Sequence, residues 1–534
     1  MKISPALVIT KHTMKERGKV AVALGYMAGV VTLTSTYGYK FAYPLVSDRL
    51  RLSASFSRDA GIAAVFGPAR SLETVAGFVA FRTLGVIPLI IAIWASLTAT
   101  KALRGNEDTG RWEILISSRV TKRYATMATI RGLFASLTIS LVLASVIIAF
   151  TARLSHDFSI RSSFFFSLTL FASGYLFIAV GSLASQLVNS KRSASTMTGI
   201  TIGLSFLIRA VADSSPSISW IHWFSPFGWI TQSAPLTHPS WWGLALTLVT
   251  TLTLLIITLT ISEHRDLNGS VFSERASNHV GMKLTGVTKL WLRLQSSSIT
   301  NWILGLFFIS FAFGLVLHGA TKAFSGSSTI KNTFSDLGIS NTSDLFLGII
   351  FLMLTAGLMF AANGFATSLR EQEAEGFMDH LLVAPISRTR ILLSRIIVSI
   401  CALVLTAIAA GLGAFAGSGL RNGTLALADA LSASINIVPS TLLLFGISIA
   451  VFGISPRATA IVGQSLLAWS FLLELIGSAL KLNHWFMDTS LLHHMAFAPA
   501  VAPRWGENGI LLLISTSLIG LGFFSFNRRD TAIG

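Results

Sequence analysis

Few residues in this chain have the type and spacing that could make or break a bond. His484, Asp488, His493 and His494 stand close together near the end of the sequence, and His484 and Asp488, four apart, would share one helical face. Such a pair could begin a zinc site, but the spacing names no third and fourth ligand, and polar residues scattered on a loop are the plainer reading. Neither the His-Glu-x-x-His helix nor the Gly-x-Ser-x-Gly elbow occurs, so no metalloprotease or serine hydrolase is indicated. The Gly-x-x-x-x-Gly-Lys-[Ser/Thr] loop that cradles nucleotide phosphates is absent too. A lone cysteine, Cys401, forbids an intramolecular disulfide and a cysteine metal cage. Of the 23 Asp and Glu, Glu474 alone falls well inside a long apolar run, where a charge costs about 2.5–3.5 kcal/mol. It reads either as a proton or cationic-substrate site, or as a group near its helix end that is hydrated or bonded to a neighbour. No catalytic residue, metal or cofactor is assigned to the chain itself.

The elements that carry these residues are set by lipid. The 534 residues are 52% hydrophobic and only 12% charged, too apolar for a water-soluble protein of this length. Counting runs long enough to cross a bilayer, roughly 20 residues each, predicts about twelve spans. In the first half they cover 20–37, 78–98, 133–151, 164–187, 195–211 and 242–261; in the second, 302–317, 345–367, 391–416, 431–454, 458–480 and 510–526. The net charge of +17 is not a nucleic-acid signature here, because no inner segment is long enough to fold into a recognition domain. Most of the basic residues fall on one side of the spans, which places both termini in the cytoplasm. Met1 to Lys19 is basic and no clear small-residue cleavage site follows the first apolar run, so the first span is read as retained. Trp220, Trp223, Trp229, Trp241 and Trp242 gather at span ends, where indole favours the headgroup boundary.

The halves match when read against each other. Each has a basic amphipathic lead-in (2–19 and 283–293), expected to lie along the membrane, and then six spans. The inner loops after the second and eighth spans align best. Glu107, Gly110, Glu113, Leu115, Val120, Thr121 and Lys122 correspond at one constant offset to Glu373, Gly376, Asp379, Leu381, Ile386, Ser387 and Arg388. Shorter echoes pair Lys191-Arg192 with Pro456-Arg457, Phe224-Ser225-Pro226 with Phe497-Ala498-Pro499, and Arg265-Asp266 with Arg529-Asp530. The expected fold is therefore an all-α integral membrane protein of about twelve transmembrane helices as two repeated six-helix halves. Residues 1–266 form the first half, 267–299 a cytoplasmic linker and elbow helix, and 300–534 the second half.

These residues resemble a family: the permeases of ABC exporters in the duplicated, twelve-span form associated with polyketide-antibiotic and multidrug efflux. The resemblance covers essentially the whole chain, and its most specific part is the paired Glu-x-x-Gly-x-x-[Glu/Asp]-x-Leu loop with the Arg-Asp endings. It implies that Glu107, Gly110, Glu113 and Leu115, and Glu373, Gly376, Asp379 and Leu381, belong to two coupling loops that dock ABC ATPase subunits, two copies in all. It implies that ATP and magnesium are used by those partners, that this chain is no enzyme by itself, and that hydrophobic or amphipathic compounds leave a bacterium across its plasma membrane. A coupling loop must be short, polar and tied to helices at both ends, and both loops qualify. The charges flanking Leu115 and Leu381 would frame an apolar knob for a partner's groove. The alternative is a proton-coupled secondary antiporter, for which Glu474 is the single candidate group.

Overall fold

The computed structural model describes residues 4–57, 63, 66–116, 120–214, 216–265, 269, 286–325, 342–374, 376–377, 381, 386–420, 425–476 and 483–529. Among them the regular structure is helical throughout, as lipid requires: a backbone without water must satisfy its polar groups within its own segment. The first unit contains α1 (Pro5–Ala42), α2 (Val75–Leu84), α3 (Ile87–Thr100), α4 (Lys122–Ser155), α5 (Ile160–Leu187), α6 (Lys191–Ser214), α7 (Pro226–Gln232) and α8 (Trp242–His264). The second contains α9 (Val287–Ser325), α10 (Thr342–Ala374), α11 (Arg388–Gly419), α12 (Leu427–Asn436), α13 (Val438–Ile454), α14 (Thr459–Ile476) and α15 (Trp505–Arg528). Cα packing divides the described residues into two compact units, 4–269 and 286–529. Eleven segments among the described residues are long and apolar enough to cross a membrane, with Val75–Asp108 counted as one. The expected eleventh span is represented by α14, whose 18 residues stop beside 477–482, outside the described residues.

The lead-ins differ from expectation. Instead of separate helices lying along the membrane, the basic N-terminal residues continue into the first span as one 38-residue helix, α1. Likewise α9 runs unbroken from Val287 for 39 residues, so the expected boundary at 299/300 falls inside a helix. Neither stretch contains a proline after its first turn, and one glycine, Gly18, costs only about 1 kcal/mol in a helix interior. The second span is less regular than expected, with a break at Gly85-Val86 and Pro88 opening α3. A Cβ at Gly85 would lie 2.6 Å from the Phe66 carbonyl oxygen, so the break lets the outer segment touch the helix backbone.

Within the first unit, α1 packs on α4, α3 on α5, and α5 on α8; within the second, α9 packs on α11, α10 on α13, and α13 on α15. In order of spans these are first with third, second with fourth and fourth with sixth, in each unit. Small residues make the contacts close. Ser140 donates to the Ala21 carbonyl at 2.5 Å, and a Cβ at Gly25 would sit 2.5 Å from the Ser140 oxygen. In the second unit Ser310 donates to the Ala410 carbonyl at 2.5 Å, and a Cβ at Gly413 would lie 2.3 Å from the Phe307 oxygen. Association inside lipid depends on such packing and interhelical hydrogen bonds rather than on expelling water.

Candidate functional site

The aligned inner loops form two versions of one construction. In the first unit, α3 continues through a π-helical turn, Lys101–Gly105, into a short turn at Asn106–Asp108. Glu107 there is 5% exposed, and Arg265, just past the end of α8, donates from one Nη2 to both its carboxylate oxygens at 2.8 and 2.5 Å. Lys122, opening α4, donates to the Arg265 carbonyl. In the second unit, Glu373 lies at the end of α10 and is 6% exposed. Arg529, just past α15, donates from one Nη2 to both its oxygens at 2.9 Å. Arg388, opening α11, donates to the Arg529 carbonyl at 2.9 Å. One clamp per unit thus joins the end of the second span, the start of the third and the end of the sixth.

The turn that follows each clamp is also the same. Gly110 donates its N–H to the Glu107 carbonyl and Gly376 to that of Glu373, both at 3.0 Å. Both glycines hold left-handed backbone, φ 71° and 73°, a region a β-carbon penalises by about 1–2 kcal/mol. The third span of each unit then starts with a hydroxyl cap: Thr121 accepts from the Tyr124 N–H, and Ser387 from that of Arg390. The glycine, the cap and the basic residue after it each meet one local requirement, which accounts for their equal spacing in the two loops.

The units also differ. Glu107 has a second cation, Arg104, turned inward by the π turn and 1% exposed. Arg104 lies 3.3 Å from Glu107 and 3.1 Å from Asp108, and donates to the Asn189 carbonyl at 2.5 Å and the Gly269 carbonyl at 3.0 Å. Asp108 in turn accepts the Lys191 N–H at the start of α6, 2.7 Å away. The first clamp therefore gathers the ends of the fourth and fifth spans as well. In the second unit, Arg529 stacks near the Phe452 and Phe526 rings, at 5.5 and 5.7 Å.

The site residues named from sequence divide into several groups. Glu107 and Glu373 are buried in their own units, so neither carboxylate is a surface contact. Glu113 is exposed on the short helix Arg111–Ile116, behind Trp112, which packs against Leu103, Ala125 and Ile130. Leu381 is half-buried against the second unit's core with Phe377 and Ile386, so it is not a free knob. The side chain of Leu115, and Asp379 altogether, lie outside the described residues. Arg265 and Arg529 drew notice only as matching chain endings, yet they complete both clamps. Arg395, inside the expected 391–416 run, escaped notice; it is buried, hydrogen-bonded to Ser368 at 2.5 Å and stacked 5.1 Å from the Trp291 ring.

Glu474 lies near the end of α14 and approaches His493 at 4.0 Å. His484 and Asp488 approach at 3.6 Å but are both exposed. Among the described residues no cluster of three or more His, Cys, Asp and Glu is placed to hold a metal.

Residues 284–527 match the family model described as "Multidrug efflux system permease Rv1217c, C-terminal domain". The chain is also 27% identical over 529 residues to the multidrug efflux system permease protein Rv1217c of Mycobacterium tuberculosis, covering 96% of this chain and 93% of that protein. The chain is thus similar over most of its length to a multidrug efflux permease, and residues 284–527 resemble the C-terminal domain that the family model describes.

Proposed function

We propose that this chain is the membrane-spanning subunit of an ATP-driven exporter of hydrophobic or amphipathic compounds, drugs and polyketide antibiotics among them. The observation that carries this reading is the pair of clamps. Each short polar loop is fixed to three spans of its unit, so a force applied to the loop reaches those spans instead of dissipating in a flexible connection. Separate ABC ATPase subunits, one on each loop, would supply that force and use the ATP and magnesium. In this scheme Glu113, on the exposed side of its loop, contacts the motor, while Glu107 and Glu373 hold the loops to the spans. Gly110 and Gly376 set the turns. The six-span halves are equivalent, the loops and both termini face the cytoplasm, and the chain resides in a bacterial plasma membrane. As ATP draws the motors together, the clamped spans shift and access alternates.

The test is purification from the native membrane, identification of bound polypeptides by mass spectrometry, and assay of ATP turnover. A stoichiometric partner carrying a phosphate loop, with vanadate-sensitive hydrolysis, supports the proposal. Isolation without any such partner and without turnover would refute it and favour the proton-coupled antiporter. The approach of His493 to Glu474 gives that second reading its one structural point of support.

A further inference from the structure

The end of the first unit remote from its clamp holds a second buried ionic group, which neither the exporter reading nor the family match uses. Along α6, from Lys191 beside the clamp to Asp213, the chain rises roughly 33 Å. There the Asp213 side chain is fully buried, Arg209 is 1% exposed, and the two approach at 3.7 Å. The 3-10 segment Pro216–Phe224 folds back to bring His222 against them, also buried, with Nε2 2.5 Å from Asp213 Oδ1.

The other ring nitrogen, Nδ1, has two partners with opposite demands. It lies 2.5 Å from the Ser219 carbonyl oxygen, which can only accept, and 3.3 Å from the side-chain nitrogen of Gln232 on α7, which can only donate. The amide orientation is fixed from its far side, because Arg70, donor only, lies 2.8 Å from the Gln232 oxygen. Nε2 faces a carboxylate and carries a proton. A neutral imidazole therefore uses Nδ1 to accept from Gln232, whereas an imidazolium uses it to donate to Ser219. The two bonds exclude each other.

We propose that His222 is a proton-binding site whose occupancy decides whether Gln232, and through it Arg70, is held. With His222 neutral, a chain of hydrogen bonds runs from Arg70 through Gln232 and His222 to Asp213, tying the segment before α2 to the end of α6. Proton uptake makes Nδ1 a donor to the Ser219 carbonyl, already 2.5 Å away, and so releases Gln232 with Arg70. The charged groups facing the imidazole are Asp213 and Arg209 from α6 and, through Gln232, Arg70. Gly67 belongs to the same junction: a Cβ there would come within 3.8 Å of an Arg209 guanidinium nitrogen. The ligand is a proton taken from the face opposite the clamps, the cell exterior in the proposed orientation.

The test needs neither substrate nor motor subunit, so it stands apart from the exporter reading. In a Cys401→Ser background, spin labels at the exposed positions Glu73, before α2, and Val211, at the end of α6, report the distance between the two tied segments in the full chain in nanodiscs. Acidification from neutral pH should give a second, longer distance. Its population relative to the first should rise up to about tenfold per unit of acidification, the slope of one proton. His222→Gln should abolish the response, and Gln232→Ala, which leaves the buried ions in place, should show the longer distance at every pH. A distance independent of pH in the parent protein would overturn the proposal. So would a response surviving in His222→Gln, or a Gln232→Ala variant that titrates like the parent.

Discussion

The two clamps share a plan but not a charge balance, and that difference sets how each responds to losing its arginine. Glu373 is held by Arg529, whereas Glu107 is held by both Arg265 and Arg104. Removing one partner of a buried pair costs about 3–5 kcal/mol because a charge is left uncompensated. Arg529 is 17% exposed, so water relieves part of the cost and the lower end, about 3 kcal/mol, applies to Arg529→Gln. In Arg265→Gln the carboxylate keeps Arg104, and the loss approaches that of hydrogen bonds to a charged group, about 1.5 kcal/mol. The amides of Gly376 and Gly110, bonded to the clamp residues' own carbonyls, are matched reporters. Hydrogen exchange limited by local opening converts these energies into rates: about 100-fold faster at Gly376 in Arg529→Gln, and roughly tenfold faster at Gly110 in Arg265→Gln. Arg528→Gln, exposed beside the clamp, should change neither. Equal acceleration in both units, or none in Arg529→Gln, would refute the assignment of different charge support.

Glu113→Lys should leave insertion intact but separate ATP turnover from export, measured as hydrolysis and vesicle transport on one preparation; unchanged coupling would remove Glu113 from the motor contact. Gly376→Ala should weaken its turn by about 1–2 kcal/mol through left-handed strain alone, read as faster exchange at the amide of position 376, which bonds the Glu373 carbonyl, with no loss of expression. Gly413→Ala, whose β-carbon would meet the Phe307 carbonyl, should lower the yield of folded protein, whereas Gly199→Ala, with nothing within 4 Å, should not. Glu474→Gln should preserve ATP-driven export; abolition of transport driven by a proton gradient would instead favour the antiporter.

The spans were legible because bilayer thickness turns hydropathy into length: about twelve apolar runs were expected, and eleven helical segments among the described residues are long and apolar enough to cross. Their continuity was not: α1 and α9 extend through basic lead-ins because nothing in those residues stops a helix, and a change of polarity alone does not break one. The loop motif was legible as a repeated pattern, but its meaning was divided. Gly110, Thr121 and Lys122 serve local needs, a turn, a cap and a carbonyl, that spacing can express. The partner of Glu107 lies just past the sixth span, a long-range pairing that spacing cannot express, so the carboxylate read only as part of a docking loop. The matching Arg-Asp endings were the available signal. Arg395 stayed hidden because one cation hardly alters the hydropathy of a long run, and nothing in the spacing of Asp213 and His222 says that the 3-10 segment Pro216–Phe224 brings them together.

The backbone-to-backbone seams between α1 and α4, and between α9 and α11, make each pair a stiff two-helix beam. Where a β-carbon would already collide, an acyl chain has no crevice to enter, so lipids cannot compete for these seams as they can for contacts between bulky side chains. A thinner or thicker bilayer should therefore tilt each beam as a body without prising its helices apart. Adaptation to membrane composition is left to the looser boundaries, such as the lipid-exposed faces of α6 and α8, where Ile200, Leu204, Leu207, Leu248 and Ile256 stand open.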